Sequence, residues 1–318
     1  MGVLPDINES LNFKDLSRVL SNNFSEISKE YMTFITQWLI DSNKVFNDCE
    51  KFYILIYLFN KNLEFYNDNL IYFDYETFRQ TNKFDVQKIN IIDIAKNLSV
   101  PKESVRRKII ELEKEKIIQR QKKNIVINKN SVNLFDIPDN IKSLSNVLFV
   151  IYNICLKFNL VSKKISKEEI VKTLNKNFSF FMLHYFEFIF PWVLNWKKFF
   201  DNDLEMCVIW SVIVLNKSVK LKKINNVLNI EDWRYEIGEK PFQGINTMSL
   251  AEISGIPRPT VSRKIKKLLR KKVIFIDEYK LIHPVTFYHK KTLAKLQNTT
   301  IDNFCKFSST VFNRLILN

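Results

Sequence analysis

The chain contains itself twice. The stretch "IAKNLSVPKESVRRKIIELEKEKII", Ile94 to Ile118, moved forward by 156 positions, lies without a gap on "LAEISGIPRPTVSRKIKKLLRKKVI", Leu250 to Ile274. Ala95 meets Ala251, Val100 meets Ile256, Pro101 meets Pro257 and Val105 meets Val261. Arg107, Lys108 and Ile109 meet Arg263, Lys264 and Ile265, and Leu112 meets Leu268. The same displacement pairs "QKIN" (Gln87 to Asn90) with "QGIN" (Gln243 to Asn246), and "FYILIYLFNK" (Phe52 to Lys61) with "VIWSVIVLNK" (Val208 to Lys217). Upstream the displacement becomes 154, where "DLSRVLSNNFS" (Asp15 to Ser25) matches "EIVKTLNKNFS" (Glu169 to Ser179) and "FITQW" (Phe34 to Trp38) matches "FIFPW" (Phe188 to Trp192). Two helical halves share apolar periodicity, but periodicity alone would not hold one register across so many blocks. A period this long defines one structural unit built twice. The expected domains are residues 1–160, with a motif at about 89–128, and residues 161–318, with a motif at about 245–284.

Only 4 Gly and 8 Pro punctuate the 318 residues, which favours long helices over many strands. Each half opens with a short amphipathic helix (Leu16 with Leu20, Ile170 with Leu174) and a longer aromatic one (Ser28 to Val45, Phe180 to Phe200). The apolar runs Phe52 to Phe59 and Val208 to Leu215 fit either a strand or a buried helix, and the helical context selects helix. The stretches Leu63 to Val86 and Val219 to Phe242 read as loops with a short helix. Then come a short helix (Ile91 to Leu98), a turn, and a second helix (Lys102 to Glu113, or Arg258 to Leu269). In the second helix Val105, Ile109 and Leu112 form one stripe, repeated by Val261, Ile265 and Leu268. Lys116 to Asn128 and Lys272 to Pro284 each read as a β-hairpin.

Helix, turn, helix, hairpin is the layout of a winged helix, and here the residues resemble a known superfamily. "IIDIAKNLSVPKESVRRKIIELEKEKII" and "MSLAEISGIPRPTVSRKIKKLLRKKVI" look like the winged helix-turn-helix of bacterial transcriptional regulators of the MarR, Crp and IclR kinds. The shared features are a small Ala in the first helix, an apolar residue ending the turn, a Thr/Ser-Val-x-Arg start to the second helix, and apolar residues leading into the wing. Pro101 and Pro257 depart from the usual Ser at the helix cap, a place where proline is tolerated. The expected fold is mainly α: two tandem winged-helix domains with small β-hairpin wings, related by internal duplication, one chain acting as a pseudo-dimer. The resemblance implies that each second helix enters the major groove of double-stranded DNA.

The residues suit that role independently. The formal net charge is +15, which suggests a polyanionic partner. No acidic residue occurs from Pro257 to Lys272, where a merely solvated helix face would mix signs, whereas Glu103, Glu111, Glu113 and Glu115 dilute the first motif. The candidate DNA contacts in the first half are Lys102, Ser104, Arg106, Arg107 and Lys108, with Arg120, Lys122 and Lys123 on the hairpin tip. In the second half they are Arg258, Thr260, Ser262, Arg263 and Lys264, with Lys266, Lys267, Arg270 and Lys271 further along toward phosphates. Arg forks onto guanine, and Ser or Thr contacts base or phosphate. Because the two helices differ, the expected site is two related but non-identical half-sites. The function read from these features is sequence-specific transcriptional regulation. A plasmid-type replication initiator with tandem winged helices and a winged-helix protein–protein interaction module stand as alternatives.

Other chemistry finds no foothold. His184, His283 and His289 share no metal-like spacing with Cys or carboxylates, no phosphate-cradling glycine loop is present, and no nucleophile–base arrangement can be argued, so no enzyme activity, metal or cofactor is expected. Cys49, Cys155, Cys207 and Cys305 are widely spaced and read as reduced buried thiols of a cytoplasmic, nucleoid-associated protein. Trp38, Trp192, Trp196, Trp210 and Trp233 read as core rather than ligand-pocket residues. The aromatic stretch Phe178 to Trp196 is interrupted by His184, Glu187, Pro191 and Asn195, and the start "MGVLPDINES" lacks the pattern of a signal peptide, so no membrane partner is expected.

Overall fold

The computed structural model describes residues 10–86, 89–121, 124–135, 137–221, 227–239, 244–285 and 291–316, apart from the side chain of Asn130. The chain is mainly helical, with small antiparallel sheets. The first half runs α1 (Phe13–Asn22), α2 (Phe24–Lys44), α3 (Cys49–Asp68), α4 (Tyr75–Gln80), β1 (Lys83–Val86), α5 (Ile91–Leu98), α6 (Lys102–Lys114), β2 (Ile118–Gln121), β3 (Asn124–Asn128), a 3-10 turn (Lys129–Leu134) and α7 (Ile137–Lys157). The second half runs α8 (Lys167–Lys176), α9 (Phe178–Phe199), α10 (Leu204–Leu221), α11 (Ile230–Glu239), α12 (Thr247–Ser254), α13 (Arg258–Arg270), β4 (Ile274–Ile276), β5 (Ile282–Pro284) and α14 (Lys291–Ile316). No described helix is long and apolar enough to cross a membrane, α9 included.

Local chemistry explains the helix starts. Asn12 caps α1 by accepting from the Lys14 N–H, Asp48 caps α3 through the Lys51 N–H, and Asp74 caps α4 through the Thr77 N–H. The apolar run Phe52 to Phe59 is a helix, as expected, and α3 continues past it to Asp68. The region Leu63 to Val86, expected to be a loop with a short helix, also holds strand β1, in which Phe84 and Val86 point inward and Lys83 and Asp85 outward. That alternation is the period of a half-buried strand. The strand pairs with β3, giving a sheet of order β1-β3-β2 with Phe84 opposite Ile127 and Ile118 also opposite Ile127 on the other side. In the second half β4 and β5 pair with Ile274 opposite Pro284, and Ile245 bridges to Ile282.

The chain divides into two compact units, and both draw on both halves of the sequence. One comprises Met1–Asp41, Ser143–Lys167 and Asn195–Asn318, the other Ser42–Lys142 and Glu168–Leu194. They are called the α13 unit and the α6 unit below. Division into repeats at residue 160 and division into compact units are therefore different cuts through the chain.

In the α13 unit, α10 is the central helix, buried over nearly its whole length from Leu204 to Leu221, and α12, α13 and β5 pack against it. Trp196 of α9 lies 4.9 Å from Trp210 of α10, and elsewhere in the unit Tyr31 of α2 lies 5.3 Å from Phe304 of α14. Arg234 of α11 is fully buried and satisfied by Glu231, Gln297, Asn298 and the Ala294 carbonyl, which ties α11 to α14. In the α6 unit α3 has the central position, with α5, α6 and β1 against it. Phe59 there meets Phe84 at 5.3 Å and Phe135 at 5.5 Å. All five tryptophans and all four cysteines are buried.

Candidate nucleic-acid interface

Each basic helix is mounted by the same sequence of local devices. Asn90 caps α5 by accepting from the Asp93 N–H at 2.9 Å, and Asn246, 156 positions on, caps α12 by accepting from the Ser249 N–H at 2.9 Å. Both short helices end in a left-handed residue, Ser99 with φ 50° and Gly255 with φ 69°. Glycine takes that conformation without cost, whereas an L-residue such as Ser99 gives up about 1–2 kcal/mol. The chain then buries Val100 or Ile256 and enters the next helix through Pro101 or Pro257, with φ of −55° and −54°. Val105, Ile109 and Leu112 are buried under α6, and Val261, Ile265 and Leu268 under α13. The opposite faces are left outward. Lys116 and Lys272, again left-handed, turn the chain from helix into hairpin.

The two outward faces differ in how their charge is spent. On α13, Arg258, Arg263, Lys266 and Arg270 are exposed, with no acidic partner among the described residues, and Thr260 and Ser262 sit half-buried between them. Lys267 reaches Asp203 at 3.3 Å while remaining half exposed. Lys271 pairs with Asp201 at 2.8 Å and lies 5.2 Å from the centre of the Phe199 ring. On α6, Lys102, Arg106 and Arg107 are exposed and Ser104 half-buried. Here the arginines have acids beside them: Arg106 lies 3.7 Å from Glu103, and Arg107 lies 3.8 Å from Glu111. Arg120, on β2, donates to Glu113 at 2.7 Å. The Arg120 bond holds the Glu113 carboxyl below the ordinary carboxylate range and raises the guanidinium in turn. Lys122 and Lys123 lie outside the described residues.

Lys108 and Lys264 do not belong to these faces. Both are buried, at 5% and 7% exposure. The Lys108 ammonium bonds to Asp48, the cap of α3. The Lys264 ammonium bonds to both oxygens of Asp203, at 2.7 and 2.6 Å, and to Glu205 at 2.7 Å. Asp203 also accepts from the Met206 N–H at the start of α10. In each unit, then, a lysine of the basic helix is tied to the acid at the N-terminus of the central helix. Burial alone would lower the Lys264 pKa, but its bonds to Asp203 and Glu205 outweigh this and raise it. The sequence spacing carried the signal: Lys108 stands three residues after Val105 and four before Leu112, inside the arc that the apolar stripe buries.

The sequence reading also missed Lys51, buried in α3, which donates to Glu115 just past the end of α6 and lies 4.7 Å from the centre of the Phe46 ring. Glu115 thus joins the packing of α6 onto α3 rather than only diluting its charge. In the second hairpin Asp277 accepts from the N–H groups of Tyr279 and Leu281 and faces His283 at 2.8 Å, so one acid organises the tip. Among the described residues no group of three or more His, Cys, Asp or Glu could hold a metal ion. No protein-family model, curated protein or solved structure matches the chain.

Proposed function

We propose that the chain is a sequence-specific double-stranded DNA-binding protein of the transcriptional-regulator type, built from two winged helices related by tandem duplication. The α5–α6 and α12–α13 pairs, each followed by a hairpin, support the winged-helix reading, as does the pairing of β1 with β3. The carrying observation is the outward face of α13: four cations without acidic partners among the described residues, on a helix whose inner stripe is fully buried. Such a face gains by meeting phosphates, because each neutralised phosphate releases condensed counterions. Arg258 and Arg263, nearest the helix N-terminus, are the base-reading pair; Lys266 and Arg270 bind phosphate. On α6, Arg107 stands at the position of Arg263, so the two half-sites share a guanine there. They differ where Glu103 and Arg106 replace Pro259 and Ser262.

The test is selection of bound duplexes from random sequence, followed by mobility-shift titration. Arg263→Ala and Arg107→Ala should each relax one guanine position in a different half-site, weakening specific binding by about 1–3 kcal/mol. Lys266→Ala should weaken binding to all sequences alike and lower the salt slope by about 0.9. Absence of binding to any duplex at low salt would overturn the reading.

A further inference from the structure

The helix pair α1–α2 and the pair α8–α9 correspond residue for residue at a displacement of 154: Phe13–Asn22 with Lys167–Lys176, and the start of α2 at Phe24 with that of α9 at Phe178. Apart from their ends (Ser42–Lys44 of α2, Lys167 of α8 and Asn195–Phe199 of α9), each pair is nevertheless built into the unit that holds the other half's basic helix. The docking is alike in detail. In the α13 unit the Ser25 N–H donates to the Leu228 carbonyl at 3.1 Å, and the Ser25 Oγ accepts from the Leu228 N–H at 2.8 Å. In the α6 unit the Ser179 N–H donates to the Phe73 carbonyl at 3.1 Å, and the Ser179 Oγ accepts from the Phe73 N–H at 3.0 Å. Both clasps satisfy an N–H in the first turn of a helix, where no intrahelical partner exists. Beside them Phe24 packs on Trp233 at 4.9 Å, and Phe178 packs on Phe78 at 4.8 Å. Trp233 lies in α11 and Phe78 in α4, which start directly after Asn229 and Asp74, residues that each accept first-turn N–H bonds.

We propose that the two helix pairs are reciprocally exchanged, so that each basic helix-turn-helix is completed by a helix pair from the other half of the chain. The exchange stands on unit composition and these paired contacts, and holds whatever ligand the basic helices bind. Its consequence is crossed dependence. Damage to α1–α2 acts on the surface of α13, more than two hundred positions away in sequence, and damage to α8 acts on the surface of α6. In a chain without exchange, each lesion would act within its own half.

Hydrogen exchange on the full-length protein, read peptide by peptide, separates the two cases. Ser25→Ala removes the acceptor of the Leu228 N–H and should speed exchange there roughly fivefold, leaving Phe73 unchanged, while Ser179→Ala should do the converse. Leu20 and Leu174 are equivalent and buried. Leu20→Ala should loosen α10 to β5, α13 included, and spare α3 to β3; Leu174→Ala should loosen α3 to β3 and spare α10 to β5. Loosening confined to a variant's own half, or equal loosening of both units, overturns the proposal. Should a Leu variant not fold, the two Ser variants decide the question alone, since a crossed pair of local effects is expected from them and an uncrossed pair excludes it.

Discussion

Replacing Lys264 with Ala distinguishes a structural lysine from a contact on the proposed DNA-binding face of the same helix. The native ammonium makes three charge-assisted bonds, to both Asp203 oxygens and to Glu205. Its side chain is 9% exposed and that of Asp203 is 13% exposed. Removing one partner of a fully buried pair costs about 3–5 kcal/mol, because the remaining charge stays desolvated. Two features reduce that figure here: Glu205 is 36% exposed and can turn to water, and Lys267 already stands 3.3 Å from Asp203. We therefore expect Lys264→Ala to cost about 2–3 kcal/mol in urea unfolding followed by circular dichroism. The pH dependence has a fixed sign. The folded-state pKa of Lys264 lies above the ordinary 10.5, so its contribution is complete below that value and is lost only as pH rises through the folded value. The difference between variant and wild type should accordingly be constant through neutral and mildly alkaline solution. Salt titration of DNA binding, measured where both proteins are folded, should give unchanged slopes. A variant with the wild-type unfolding midpoint and a slope lower by about one would refute the reasoning and return Lys264 to the binding face.

Three further outcomes follow from the geometry. A Cβ at Gly244 would lie 2.6 Å from His283 Nε2 and 2.8 Å from the Ile282 carbonyl oxygen, so Gly244→Ala should destabilise the protein by about 1–3 kcal/mol and expose the Ile245 amide to exchange. Asn246→Ala removes the cap of α12 and should cost about 1 kcal/mol in thermal unfolding; a stability within error of wild type would count against the cap. Burial works to raise the Asp277 pKa, but bonds with His283 and the backbone N–H groups of Leu281 and Tyr279 hold its carboxyl below the ordinary value. The carboxylate's stabilisation of the second hairpin should therefore be complete above the ordinary value of 3.8 and be lost as pH falls from there through the lower folded value, an effect visible in acid-pH amide exchange and absent in Asp277→Asn.

Much of the local structure was legible in the sequence. Spacing placed α5, α6 and α13 closely, and in α6 and α13 a buried stripe of fixed period runs from a turn ending in proline to a hairpin. The buried positions Val105, Ile109 and Leu112 and their counterparts were all found. Strand β1 went unread, since four residues of alternation in an aromatic, Asn-rich stretch give little signal. Lys108 and Lys264 count as candidate DNA contacts on charge, although their spacing lies within the buried arc. Their partners, Asp48 and Asp203, stand about sixty positions upstream, and nothing local announces such a pairing. Assignment of α1–α2 to the α13 unit was out of reach for a related reason. Amphipathic periodicity records that Leu16 and Leu20 face something apolar; it carries no information on which segment supplies the covering surface.

Interleaving of the two compact units bears on how the molecule responds to dilution. When separate chains complete one another, the complete form is lost once concentration falls below the dissociation constant. Here Ser25 and Leu228, and likewise Phe73 and Ser179, are carried by one chain, so each encounter is intramolecular. The tethered partner is held at an effective concentration that does not change with copy number. On the proposed exchange, completion of each basic helix-turn-helix therefore does not depend on how much of the protein there is.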